Sequence, residues 1–367
     1  MNKVRIKDVA IKAGVSPSTV SRVLNAHPRA EEISLKTRQK IWEAAKELGY
    51  TPNIMGKYLR LGLKFPCVGL EFSKGFDRLV NESFFWVIAS NISALLGAEG
   101  IQVVHLDASH IHSLNVGNGA ALRYLLQVVV VLDKIEEEIE LLRELGVPLI
   151  CIFPYREIPK DTICIDTNDE KGIVDGLEYL WKLGHRNIVF VSGKSRGKEY
   201  PAFERRRLAF RKIAENMGFS SAEEVFVEEW SAITRDGKPH PVEENKVAKA
   251  LSEATAIFAA NDYIAYWVIR FLNTKGIFVP VDKSVMGFDD LYFSRLFNPP
   301  LTTVAIPLRE ISELVANTCL GIMKNEEGIS VIDNPVQIFE VKFVERSSCA
   351  TVPIKGVNPT CAISVRN

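Results

Sequence analysis

Ile6-Lys7-Asp8-Val9-Ala10-Ile11-Lys12-Ala13-Gly14-Val15-Ser16-Pro17-Ser18-Thr19-Val20-Ser21-Arg22-Val23-Leu24-Asn25 reads as two short helices joined by a tight turn. Ile6, Val9, Ala10 and Ala13 share one helical face. Gly14 supplies the left-handed residue that ends a helix. Ser16 then stands as an N-cap with Pro17 at the first helical position, a strong start signal. The second helix turns Val20, Val23 and Leu24 inward and leaves Ser18, Thr19, Ser21, Arg22 and Asn25 on its other side. A third helix begins after Ser34, carries Ile41, Ala44, Ala45 and Leu48 inward, and stops at Gly49. Three helices of this kind match the helix-turn-helix plan, in which the second helix enters the major groove of DNA.

Charge supports a polyanionic partner for this end. The 367-residue chain has 45 basic and 45 acidic side chains. Residues 1–64 hold 13 Lys and Arg against 5 Asp and Glu, a charge of +8, so the rest carries −8. A basic head on an acidic body places the nucleic-acid contact at the N-terminus. Arg22 has the fork that pairs with a guanine edge, and Ser18 and Thr19 can donate or accept in the groove. Ser34, Thr37 and Arg38 suit phosphates at a helix start. The alternative for Arg22 is a solvated surface arginine.

Length and composition ask for more than one domain. The first residues lack the apolar core of a signal peptide, and no run approaches a membrane span. The six cysteines form no CxxC pair, and Cys67, Cys151 and Cys164 lie in or beside apolar runs, which suits reduced thiols in the cytoplasm. From residue 66 apolar strands at 67–72, 101–106, 128–132, 149–153, 187–192, 225–227, 256–259 and 284–288 alternate with amphipathic stretches at 135–145, 172–183, 206–217 and 265–275. That alternation predicts parallel sheets with helices on both faces, in two sequential halves. Ligands of such sheets sit outside the carboxyl ends of the strands.

The head motif, together with Leu48-Gly49-Tyr50-x-Pro52-Asn53, resembles the signature of the lactose-repressor family of bacterial regulators, although the loop from Ala26 to Ile33 is longer than usual. The resemblance continues in Leu183-Gly184-His185-Arg186, in Thr255 to Asp262, in Val279 to Asp290 and in Pro299 to Val304. It is weak over 73–130. It implies an all-α helix-turn-helix head followed by an α/β core of two doubly wound parallel-sheet lobes, like a periplasmic sugar-binding protein. The expected bounds are a head at 1–52, a hinge helix at 53–65, a core at 66–347 and a tail at 348–367. Lobe 1 would take 66–184 and 306–335, and lobe 2 would take 185–305 and 336–347.

The resemblance also implies roles. Asn53, Lys57 and Leu59 fall in the hinge that contacts DNA, with Leu59 in the place of a minor-groove wedge. Gly56 stands where alanine is usual and weakens a helix already too short to be stable alone. Arg206, Trp230, Asn261 and Asp289 match effector contacts. Asn261 and Asp289 could equally cap the helices that follow them, and Trp230 could anchor a loop. Two departures stand out: Asn168-Asp169 replaces the usual Asp-Asn, and Ala209 replaces a glycine.

The expected function is a homodimeric repressor on a pseudo-palindromic double-stranded operator, controlled by a small-molecule effector of the sugar class. Control by a protein corepressor, or a solute-binding protein, are the alternatives. Neither the metal-like His110-x-His112 nor the phosphate-loop-like Gly193-Lys194-Ser195 has the partners its chemistry requires. No enzyme, cofactor, metal or membrane role is expected.

Overall fold

The computed structural model describes residues 4–24, 28–50, 66–72, 83–107, 126–132, 142, 146–154, 162–195, 198–228, 244–324 and 336–352. The chain divides into two compact units, Met1–Phe65 and Pro66–Asn367.

In the first unit α1 (Ile6–Ala13), α2 (Pro17–Leu24) and α3 (Leu35–Leu48) enclose a small core. Val9, Val20 and Ile41 are fully buried there, with Ala44 and Ala45 beside them. The breaks follow the expected chemistry. Gly14 and Gly49 close their helices at φ 66° and 65°, in the left-handed region that favours glycine. Ser16 Oγ accepts from the Thr19 amide at 3.2 Å, and Ser34 Oγ from the Thr37 amide at 3.2 Å, so each serine satisfies one orphan donor of its helix. A short 3-10 turn, Pro28–Ala30, occupies the lengthened loop.

In the second unit the described strands form two large sheets and a two-stranded one. The first runs β12-β5-β4-β3-β1-β2, parallel throughout. Its members are β1 (Cys67–Phe72), β2 (Gln102–Asp107), β3 (Val128–Leu132), β4 (Leu149–Ile152), β5 (Ile163–Thr167) and β12 (Val336–Phe339). Helix α4 (Ser83–Ala98) packs on α9 (Leu308–Lys324) over this sheet. The second sheet is centred on β6 (Asn187–Ser195), which pairs in parallel with β8 (Ser221–Glu228) and β9 (Ala256–Ala259). It adds β10 (Ser284–Met286) and the antiparallel β7 (Lys198–Glu199). Around it lie α6 (Pro201–Met217), α7 (Glu244–Glu253) and α8 (Asp262–Thr274). A pair of antiparallel strands, β11 (Thr303–Ala305) and β13 (Lys342–Val344), is bridged to this lobe through Met286–Thr302 and Asp289–Ala305.

The expected lobe boundaries need three corrections. Helix α5 (Asp169–Lys182) lies in the stretch assigned to lobe 1, yet it packs on the second sheet. A Cβ on Gly172 would press on Phe288 and Val304, and one on Gly176 on Phe258 and Met286. Strand β12, assigned to lobe 2, instead extends the first sheet beside β5. The chain therefore crosses between lobes near Asn168, near Ile306–Pro307 and near Glu340–Val341. Finally, residues 348–352 are not a free tail. Ser348, fully buried, holds the Thr302 amide at 2.8 Å and the Val285 carbonyl at 2.5 Å, and the Val352 amide reaches Leu183 O. Buried His185 completes this seam, its ring nitrogens within 3.0 Å of Thr255 Oγ1, Ser284 Oγ and Ala350 O.

Most expected strands appear within a few residues of their expected ends; β5, β7, β11, β12 and β13 were not anticipated. They are short or only partly buried, and no residue of Val336–Phe339 is fully buried. The stretch 135–145 lies almost wholly outside the described residues.

Candidate DNA-reading face and effector cleft

The head presents the outer side of α2 to solvent. Val20, Val23 and Leu24 point into the core, while Ser16, Pro17, Ser18 and Arg22 are exposed. Ser16 Oγ lies 2.7 Å from Ser18 Oγ and 2.8 Å from Thr19 Oγ1, so the cap also orients two hydroxyls at the start of the helix. Ser21 is half-buried on the same helix. At the second helix start, Ser34 Oγ and Thr37 Oγ1 are 2.8 Å apart. Arg38 is half-buried, and its Nε has no hydrogen bond among the described residues. The head thus offers a guanidinium, hydroxyls and two capped helix starts, the donor set that phosphates and base edges require. Asn25, Asn53, Lys57 and Leu59 lie outside the described residues, as does Gly56.

The second unit contains a cleft at the carboxyl ends of its strands, enclosing about 520 Å³ of space with its open mouth included. Three of the four expected effector residues meet there: Arg206, Asn261 and Asp289. Trp230, the fourth, lies outside the described residues.

Arg206 projects from α6 and is 4% exposed. Its Nε donates to Asp169 Oδ2 at 3.0 Å and its Nη1 to Ala260 O at 2.7 Å. The same Nη1 lies 3.0 Å from Asp289 Oδ1, and the guanidinium sits 3.8 Å over the Phe288 ring. Asp289 Oδ1 nevertheless has no hydrogen bond among the described residues, because the approach of Arg206 is at ion-pair distance but poorly directed. Burial, reinforced by the neighbouring Asp169 charge and opposed by Arg206, pushes the Asp289 carboxyl up to about 7.

Asp289 also sits at φ 108°, a region that side chains rarely adopt. Backbone bonds to β11 hold it there: Asp289 N donates to Val304 O at 2.7 Å, and Ile306 N reaches Asp289 O at 3.4 Å. Strain of this sort, imposed by surrounding structure, recurs at ligand sites. Of the two alternatives for Asn261, the capping role is realised, since its Oδ1 accepts from the Ile264 amide at 2.9 Å at the start of α8. Asn261 still lines the cleft, and no described residue bonds its amide NH2.

Several lining residues were not anticipated. Asp169 opens α5 and accepts from Thr167 Oγ1 at 2.8 Å as well as from Arg206. Its signal was present in the reversed Asn168-Asp169 order. Arg205 reaches across the lobes to Asp166 at 3.2 Å and to Pro154 O at 3.4 Å. Phe84, Phe153, Tyr200 and Tyr263 supply aromatic walls. Phe84 belongs to the stretch with little resemblance to any motif, where no pattern pointed to a pocket.

A helix-turn-helix head followed by two parallel-sheet lobes with a charged cleft defines a ligand-responsive DNA-binding regulator. Comparison with known proteins narrows the class. The model for bacterial regulatory proteins of the lacI family matches residues 5–53, and that for the periplasmic binding protein-like domain matches 177–349. The transcriptional regulator DegA of Bacillus subtilis is 30% identical over 84% of this chain and 88% of its own. The probable transcriptional repressor ExuR of the same organism is 29% identical, over 88% and 93%. The crystal structure of the lac repressor dimer bound to operator and the anti-inducer ONPF superposes with a TM-score of 0.72 at 24% identity, covering 95% of this chain and all of that one. The chain belongs to the lacI family of bacterial regulatory proteins, and it is a DNA-binding transcription regulator.

Proposed function

We propose that the protein is a cytoplasmic repressor that binds a pseudo-palindromic operator as a homodimer, and that a small sugar-class effector in the cleft sets its operator affinity. The observation that carries this reading is the buried Asp169–Arg206–Asp289 cluster on the cleft floor. Carboxylates and an amide accept from and donate to vicinal hydroxyls, while aromatic walls cover the C–H faces of a ring. Asp289, Asn261 and Arg206 are the effector contacts in this reading, with Trp230 as a further wall. In the head, Arg22 reads a base edge, Ser18, Thr19, Ser21 and Asn25 complete the groove contact, and Ser16, Pro17, Ser34, Thr37 and Arg38 anchor the backbone. Asn53, Lys57 and Leu59 act at the hinge.

Dimerisation is supported by the dimeric form of the lac repressor neighbour and by the small footprint of one head, which reads only a few base pairs. A charged floor in an enclosed cleft favours a small molecule over a protein corepressor as the signal. The test is a sugar panel read by thermal melting, followed by operator titration with each hit. A true effector raises the melting temperature with dose and changes operator affinity. If no sugar moves either readout, the effector reading fails.

A further inference from the structure

The effector reading leaves open which sugars the cleft accepts, and its charges decide that. Both cations among the described lining residues are already committed. Arg206 spends its Nε on Asp169 and its Nη1 on Ala260 O beside Asp289, and its face lies on Phe288. Arg205 is held by Asp166 and Pro154 O, with Asp169 3.8 Å away. The two arginines face three carboxylates, Asp169, Asp289 and Asp166, so no surplus positive charge is left for an anion among the described lining residues.

An incoming carboxylate or phosphate would therefore meet carboxylates within a few ångströms and no unpaired cation among the described residues. To reach Arg206 it would have to displace a buried aspartate, leaving that charge without its partner. Breaking a buried pair in this way is strongly unfavourable. A hydroxyl meets the opposite situation, because Asp289 Oδ1, ion-paired with Arg206 Nη1 at 3.0 Å but with no well-directed hydrogen bond among the described residues, can still accept one. The walls at Phe84, Phe153, Tyr200 and Tyr263 then suit a ring with apolar faces.

We infer that the effector is an uncharged sugar or polyol, and that the cleft rejects sugar acids and sugar phosphates; this rests on the effector reading above. Asp169 is the selectivity residue: its carboxylate occupies the side of Arg206 that an anionic sugar would need.

The experiment compares neutral and anionic partners of one skeleton on the full-length protein. The pairs are D-glucose with D-glucuronate, D-galactose with D-galacturonate, and D-ribose with D-ribose 5-phosphate, with cellobiose added. Binding is read by thermal melting and calorimetry. At least one neutral member should bind, and its charged partner should bind at least tenfold more weakly. Asp169→Asn, which keeps the size and removes the charge, should narrow that gap or reverse it. An anionic member binding more tightly than its neutral partner in the wild type overturns the inference and leaves the effector reading standing. An unchanged gap in Asp169→Asn overturns the role of Asp169. No binding by any member overturns the effector reading and the inference with it.

Discussion

Asp289 carries three signatures of a working residue: near-complete burial, a positive φ and a carboxyl shifted up to about 7. The shift has a consequence for stability with a definite sign. Between about pH 4 and pH 7 the unfolded carboxyl has lost its proton while the folded one retains it, so the native state binds more protons and stability falls as pH rises. The slope contributed by one such group is at most about 1.4 kcal/mol per pH unit. Arg206 faces Asp289 and softens the effect, while Asp169 strengthens it. Buried Asp262, whose carboxyl is also raised, mainly by burial, contributes in the same direction in any Asp289 variant. Asp289→Asn should therefore flatten the decline of melting temperature between pH 5 and 7 without abolishing it. Identical slopes for wild type and variant would remove Asp289 as the titrating group. In the head, Arg22→Ala should cost about 1–3 kcal/mol and relax the preference at one operator base. An equal loss on every sequence would mark Arg22 as a phosphate contact.

Elements were legible to the extent that one physical signal dominated them. In the head, four of the six helix ends coincide with a residue whose chemistry dictates it: Gly14, Ser16 with Pro17, Ser34 and Gly49. The strands most fully buried, such as Val128–Leu132 and Ala256–Ala259, were equally plain. What was not legible is what depends on long-range placement. Nothing in Asp169–Lys182 as an amphipathic helix tells which sheet it covers, and the boundary was drawn on the wrong side of it. In the cleft, Arg206, Asn261 and Asp289 were visible only through a motif, and the aromatic wall at Phe84 had none. The placement of α5 does yield a prediction. Gly172 and Gly176 let the helix approach the second sheet so closely that a Cβ would lie 2.6–2.9 Å from Val304, Phe288, Met286 or Phe258. Alanine at either should cost about 1–3 kcal/mol by overpacking. Gly97 in α4 has open space around it, so Gly97→Ala should be neutral or stabilising by up to about 1 kcal/mol. Denaturant melts of the three variants decide this, and a loss at Gly97 equal to that at Gly172 would show that close packing against the second sheet is not what makes Gly172 and Gly176 sensitive.

At the scale of the molecule, control of DNA binding requires that the lobes of the core have more than one arrangement and that the effector prefers one of them. The three crossings provide the articulation. Two are tied together, since Asn168 donates its amide to Glu340 at 3.1 Å and 3.3 Å, and its backbone N–H reaches Phe339 O at 2.9 Å. At the cleft, Arg205 on α6 of the second lobe binds Asp166 on β5 and Pro154 O just beyond β4 in the first, so one side chain reports whether the lobes are together. In the proposed reading, an effector settling between the lobes would complete the contacts that Arg205 begins. Coupling of this kind is reciprocal: if the effector changes operator affinity by some factor, the operator changes effector affinity by the same factor, usually about 5–150-fold. Measuring both in the wild type should give one number. Arg205→Ala removes the ties between the lobes while leaving Arg206, Asp169 and Asp289 in place, so the variant should still bind effector, more weakly, and the coupling factor should fall toward one. A variant that binds effector more weakly yet retains the full factor would show that Arg205 only touches the ligand, and that the lobes communicate with the head by another route.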